Sequence, residues 1–287
     1  MKITPTAKIV GGQDGTVWGR YLFRFGKKGD CWAYDLADIS GEGIAEPRAV
    51  AEFTLDRAEE MMPHSNAVVF GNECCCEGDE FPLLYSNIYN TYSKEENKRK
   101  GICCVYRLQR EDNVFTTKLM QLIEIGFVED PRYWRSENGT DVRPYGNFVV
   151  DREKSVYYAY TMRDETHTTR YFAFDLPKLK DGTPDAEFGV NRVVLTPEDI
   201  RFQFDCEYHR YVQGGCVHEG KIYSLEGFTE DEKRPPALRI IDPEERRQQE
   251  MFLFADYGLT VEPEMIEFAD GICYYCDHSG NLYTLEF

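Results

Sequence analysis

No stretch of this chain approaches the roughly 20 consecutive apolar residues that a membrane-crossing helix needs. The first residues, Met1-Lys2-Ile3-Thr4, lack the apolar core of a secretory signal. These absences predict a cytoplasmic protein with no membrane partner, and make Asn138-Gly139-Thr140 a chance glycosylation sequon. Motifs of large enzyme classes are missing too. There is no Gly-x-Ser-x-Gly nucleophile elbow and no Rossmann glycine fingerprint, and Gly11-Gly12 is not followed by the Lys-Ser or Lys-Thr of a phosphate loop. Cations are few beside acids: 33 Lys and Arg against 51 Asp and Glu leave a net charge of −18. That excess repels polyanions, so no nucleic-acid partner is expected.

Ten cysteines are present, but not in the spacing of a disulfide framework. Cys74-Cys75-Cys76 and Cys103-Cys104 are consecutive, and Cys31, Cys104, Cys216, Cys273 and Cys276 sit in apolar strand patterns. They read as small hydrophobes in a reducing interior. Cys273-x-x-Cys276 followed by His278 is the nearest thing to a zinc motif. It has no second pair, and strand alternation puts its two thiols on opposite faces. No metal and no cofactor are expected.

Strand-forming residues are abundant. Hydrophobic residues make up 42% of the chain, and 19 Tyr and 18 Phe suit half-buried pleated faces. One short pattern recurs five times: Trp32-Ala33-Tyr34-Asp35-Leu36, Cys104-Val105-Tyr106-Arg107-Leu108, Phe172-Ala173-Phe174-Asp175-Leu176, Arg239-Ile240-Ile241-Asp242-Pro243 and Tyr283-Thr284-Leu285-Glu286-Phe287. With Asp35, Arg107, Asp175, Asp242 and Glu286 equivalent, the intervals are 72, 68, 67 and 44 residues. Repeats of that size, each holding several strands, predict an all-β five-bladed β-propeller of antiparallel sheets, one domain over residues 1–287.

Each repeat reads as four strands. The innermost are 8–12, 66–70, 147–150, 212–217 and 265–268. The second are 18–25, 83–92, 156–162, 221–226 and 272–276. The third carry the recurring pattern. The fourth are 49–55, 118–125, 192–195 and 251–254. Asp14-Gly15, Glu219-Gly220 and Asp270-Gly271 read as turns between first and second strands. The last repeat stops after its third strand. Lys2 to Pro5 is a candidate to close the ring as its outer strand, since an open ring leaves a bare edge; a three-stranded last blade is the alternative.

In such a ring the loops leading into the inner strands gather at one mouth of the central channel, a concave place suited to ligands. Those loops hold His64, Asn66, Arg143, Tyr145, Asn147, His209, Arg210, Gln213, Glu262 and Glu264, the candidate ligand-binding residues. Imidazoles can donate, accept or titrate near neutrality. Arg143 and Arg210 fit recognition of a carboxylate or phosphate, or else ion pairing with nearby acids. Gly214-Gly215 permits either a close approach to a ligand or tight packing at the axis. Trp134, in the long connection 127–142, suits stacking on a sugar or anchoring of that loop. Glycoside hydrolysis requires two carboxylates flanking one bond, and Asp14, Asp205, Glu207, Glu262 and Glu264 are the acids near the mouth.

The repeat count and turns resemble the five-bladed propellers of arabinanase and fructosidase glycosidases and of some sugar-binding lectins. Tyr211-Val212-Gln213-Gly214-Gly215, Gly220-Lys221-Ile222-Tyr223 and Glu262-Pro263-Glu264 resemble segments of propellers in phage-tail and surface-glycan-associated proteins. The resemblance implies the fold. The expected function is binding of a small polar, anionic or glycan-like ligand at the channel mouth. A glycosidase-like enzyme and a protein-interaction scaffold are the alternatives.

Overall fold

The structure, a computed structural model, describes residues 1–39, 43–88, 102–127, 143–162, 168–207, 211–229, 232–233 and 235–287, with backbone only at 143–146 and 162. It is a five-bladed β-propeller. The first blade is β2 (Gly15–Trp18), β3 (Tyr21–Phe25), β4 (Asp30–Asp35) and β5 (Ala51–Thr54). The second is β6 (Val68–Phe70), β7 (Leu84–Ile88), β8 (Ile102–Glu111) and β9 (Val114–Ile125). The third is β10 (Arg143–Asp151), β11 (Val156–Met162), β12 (Thr169–Asp175) and β15 (Phe202–Cys206). The fourth is β16 (Val212–His218), β17 (Lys221–Glu226), β18 (Ala237–Asp242) and β19 (Arg247–Leu253). The fifth is β20 (Pro263–Ala269), β21 (Ile272–Asp277) and β22 (Asn281–Glu286), completed by β1 (Lys2–Lys8). The inner strands touch in the cyclic order β2, β6, β10, β16, β20 and back to β2, so the ring is closed.

The core is divided among the five gaps between blades. Tyr21, Phe23 and Phe25 meet Phe70, Phe81 and Phe115 in the first gap. Val105 and Ile123 meet Phe148 and Tyr157 in the second. Tyr158 and Tyr171 meet Ile222 in the third, Leu225 meets Ile266 and Tyr275 in the fourth, and Met265 meets Val17 and Leu22 in the last. Alternation along each strand feeds the two gaps on its sides. Cys103 and Cys104 enter different gaps, as do Cys273 and Cys276.

The recurring pattern marks one structural position. Asp35 pairs with Tyr21 and Asp175 with Val156, each the first residue of its second strand. Asp242, Glu286 and Arg107 lie one step beyond the pairs Ile222–Ile241, Cys273–Leu285 and Leu84–Tyr106, at the same end of theirs. The N-terminal segment does close the ring, and does so over its full length: Lys2 pairs with Glu286 and Lys8 with Asn281.

Three assignments change. Residues 8–12 do not form an inner strand. Lys8 ends the outer strand of blade five, and Gly15–Trp18 is the inner strand of blade one. Asp14-Gly15 therefore enters an inner strand instead of leaving one. The turn in question is at Gly19, whose φ of +55° suits glycine. Residues 192–195 are extended but belong to another sheet. As β14 (Asn191–Leu195), joined to the short β13 (Thr183–Pro184), they pair in parallel with β9 on the outer edge of blade two. Arg192 bonds Glu124 and Asp185, and the Gln121 amide donates to the Lys178 and Asp181 carbonyls. The long second blade thus has its edge covered. The chain then turns at Pro197–Asp199, through a capping box from Thr196, to supply β15. Among the described residues no helix is long and apolar enough to cross a membrane.

Candidate functional site

Three inner strands carry an irregularity at the end facing the mouth. The register shifts between Arg143 and Asn147 in β10, between Val212 and Gly215 in β16 and between Pro263 and Met265 in β20. Extra residues at these bulges break the alternation and re-aim side chains. In β20 the extra residue is Glu264. In β16 it lies at Gln213-Gly214. A Cβ at Gly214 would collide with the Glu264 carbonyl oxygen and press on the Asp14 carboxylate. Gly214 is therefore an axis-packing glycine that lets two bulges abut.

The bulges feed a cavity of about 210 Å³ lined by Gln13, Lys27, His64, Asn66, Tyr211, Val212, Gln213, Phe228, Glu262, Glu264 and His278. Glu264 is its chemical centre. Its side chain is 1% exposed, and its Oε1 meets His278 Nδ1 at 2.8 Å and accepts from Gln13 Nε2 at 3.1 Å. Its Oε2 is buried with no hydrogen-bond partner. Burial pushes the Glu264 carboxyl up, against the opposing pull of His278 and Arg24. The same contact raises His278. Glu262 accepts from Gln213 Nε2 at 2.5 Å. Burial first, and repulsion from Glu264 second, push Glu262 up to about 7. Ligand atoms of Glu262, Glu264 and His278 all lie within 4.8 Å of one another. His64 is pushed down to about 4 by burial and by Lys27, so it is neutral at physiological pH.

Beneath the cavity, Asp14 is fully buried and accepts from the backbone N–H groups of Gly15 and Val68, each at 2.8 Å. This ties blade one to blade two. Asn87 donates to both Asn66 (2.6 Å) and Asn147 (3.1 Å), tying blade two to blade three.

Of the residues singled out in sequence, the structure brings His64, Asn66, Gln213, Glu262 and Glu264 into one cavity. Asn147 is buried behind Asn66 and reaches it through Asn87. His209 and Arg210 lie outside the described residues, as do Trp134 and the sequon. Arg143 and Tyr145 are described only as backbone of β10. Four lining residues were not anticipated: Gln13, Lys27, Phe228 and His278. Three of them follow the end of a second strand: Lys27 after Phe25, Phe228 after Glu226 and His278 after Asp277. Second strands run back toward the mouth, so their C-terminal ends reach it as surely as the loops before the inner strands. Gln13 was hidden by the misplaced first inner strand.

No protein-family model matches the chain, and no curated protein does. Solved structures do. The glutaminyl cyclase of Myxococcus xanthus is similar over 100% of this chain and 94% of its own, with a TM-score of 0.51 and 9% identity. The likeness is one of fold. BamB from Moraxella catarrhalis is similar over 100% of this chain and 62% of its own, with a TM-score of 0.36 and 9% identity.

Proposed function

We propose that this propeller is a binding protein that holds a small polar ligand, rich in hydrogen-bond donors and of sugar or amine type, at its channel mouth. The observation that carries the reading is the convergence of Glu262, Glu264, His278, Gln13 and Gln213 on one cavity. Its roughly 210 Å³ lies below the ~300–1,000 Å³ of sites for drug-sized molecules, which favours something the size of a single sugar ring or smaller. The lining sets two carboxylates against one ammonium, and the Glu264 Oε2 oxygen lacks a donor. A hydroxyl or ammonium group supplies what it lacks. The anionic version of the ligand rested on Arg143 and Arg210, whose side chains lie outside the described residues. Lys27 is the one lysine or arginine in the described lining.

Binding is favoured over glycoside hydrolysis by how the acids are held. Glu262 and Glu264 stand side by side at the start of one strand, each already tied to an amide or imidazole, and do not flank a cleft. One observation does support an enzymatic reading. A carboxyl pushed up to about 7 can give or take a proton at neutral pH.

Both readings are tested by ligand-observed NMR against a panel of monosaccharides, amino sugars and small amines, with chromogenic glycosides assayed alongside. A panel member should bind, and Glu264→Gln should weaken it about tenfold or more, as expected for loss of a charge-assisted hydrogen bond. If nothing in the panel binds, or if Glu264→Gln binds as tightly as the parent, the mouth is not the site. Turnover of a glycoside that Glu262→Gln abolishes would favour the enzyme.

A further inference from the structure

The loop between β6 and β7 leaves the opposite face of the propeller from the mouth. It carries three consecutive cysteines. Cys74 and Cys76 are exposed and Cys75 is partly so, whereas the other seven cysteines are buried in the blades. Three polar thiols are not needed to cap a β-turn, and their placement is held from several sides. The Glu73 carbonyl accepts from Leu83 N–H, and its carboxylate accepts from Leu179 N–H. Cys76 N–H donates to Asp79 Oδ2 at 3.0 Å, and Asp79 N–H donates back to the Cys76 carbonyl at 3.2 Å. Arg107 clamps Asp79 with two hydrogen bonds, of 2.6 Å to Oδ1 and 3.0 Å to Oδ2. Arg107 is the single cation among the five equivalent third-strand positions, the others being Asp or Glu. The exception in the repeat is the residue that fixes this loop.

The sulfurs of Cys75 and Cys76 lie 3.9 Å apart. Two thiolates bound to one tetrahedral ion at ~2.3 Å each stand about 3.8 Å apart. The Asp79 carboxylate reaches the same point, with ligand atoms of Cys75, Cys76 and Asp79 all within 4.8 Å of one another. Its Oδ1 accepts from Arg107 Nη2 and keeps a lone pair for a metal. We propose that Cys75, Cys76 and Asp79 form a binding site for a thiophilic divalent cation of the zinc class, with the fourth position open to water.

Binding breaks two S–H bonds and releases two protons, and two S–metal bonds form. Two thiolates and one carboxylate around a doubly charged ion leave one net negative charge, which the Arg107 guanidinium offsets. Arg107 then serves as the outer partner that orients a ligating carboxylate, an arrangement whose loss typically costs 10–100-fold in affinity. The site is independent of the ligand proposed for the channel mouth. The described lining of the mouth offers only oxygen and nitrogen ligands, so the two are told apart by sulfur chemistry.

The test is titration of the reduced full chain with Cd²⁺, followed by the ultraviolet sulfur-to-metal charge-transfer band, with thiols counted by DTNB on the native protein. One equivalent should saturate the band, and it should lower the count of fast-reacting thiols in this loop by two. Cys75→Ser with Cys76→Ser should abolish the band, and Arg107→Ala, which removes the outer partner of Asp79, should weaken binding by about tenfold. Glu264→Gln at the mouth should leave the band unchanged. Absence of a band, a band that survives in the double variant, or a fast-thiol count unchanged by saturating Cd²⁺ would overturn the proposal. The thiol count on the unaltered protein decides the matter even if the double variant does not fold.

Discussion

Two glutamates on the innermost strand of blade five, three positions apart, have opposite fates. Glu267 lies toward the far end of the channel and is 3% exposed. Its Oε2 accepts from Thr16 Oγ1 and Arg152 Nη2, each at 2.8 Å, and its Oε1 accepts from Phe268 N–H. Arg152 also donates to the Phe70 carbonyl, so one acid and one guanidinium link blades one, two, three and five. Glu264, at the mouth, is buried as deeply but has one oxygen shared by an imidazole and an amide and the other without a partner. A burial cost that is offset at one end of the strand is left standing at the other. The far end is built as a plug. The mouth holds electrostatic strain of the kind that a ligand relieves.

The largest expected effect breaks the plug. Arg152→Ala leaves Glu267 buried without its cation and should destabilise the protein by about 3 kcal/mol, the usual cost of removing one partner of a buried pair. Glu264→Gln should change stability by less than about 1 kcal/mol, because the carboxylate it neutralises is poorly compensated. Urea denaturation of both variants measures the contrast, and equal losses would dissolve it. Next in size is Gly214→Ala. The added methyl collides with the Glu264 backbone, and overpacking of this kind costs about 1–3 kcal/mol. A thermal melt unchanged from the parent would show that the two bulges do not abut.

The smallest effect is a slope. Glu262 sits at about 7 in the folded protein, well above a free glutamate, so folding favours its protonated form. Stability should therefore fall as pH rises from about 4.5 through 7. His278 is raised by Glu264 and favours its charged form. Its contribution is complete below about 6.5 and is lost as pH rises through its higher folded value, so it acts in the same direction. His64, pushed down to about 4, acts oppositely below about 6.5, so melting temperatures should decline between pH 6.5 and 8, and Glu262→Gln should flatten the decline. A parallel slope in the variant would place the titrating group elsewhere.

The blades were readable because their second and third strands alternate ring and aliphatic residues cleanly and end on a charge. Asp35, Asp175 and Asp242 stand at one position for that reason. The inner strand of blade one was not readable. Lys8 to Gly12 has the apolar look of an axis strand, and only the pairing of Lys2–Lys8 with Asn281–Glu286 reassigns it. Asn191–Leu195 looked like a strand and is one, but which sheet it joins is set by a bare edge some 70 residues earlier. At the mouth, Glu262 and Glu264 were visible from their place before an inner strand. His278 was visible as a residue but not as a neighbour of Glu264, because a one-residue bulge decides where Glu264 points.

The pairing of β1 with β22 also sets a schedule. Lys8 and Asn281, joined through the Lys8 ammonium, are 273 positions apart. At ~5–20 residues per second of synthesis, the first strand waits on the order of tens of seconds for its partner to exist. During that wait it is an open edge on a growing chain, ready to pair with the wrong strand. Its composition answers the hazard: Lys2, Pro5 and Lys8 put a charge at each end and a missing N–H in the middle. The residues that make the strand a poor partner for strangers are spread along the segment that must stay unattached longest.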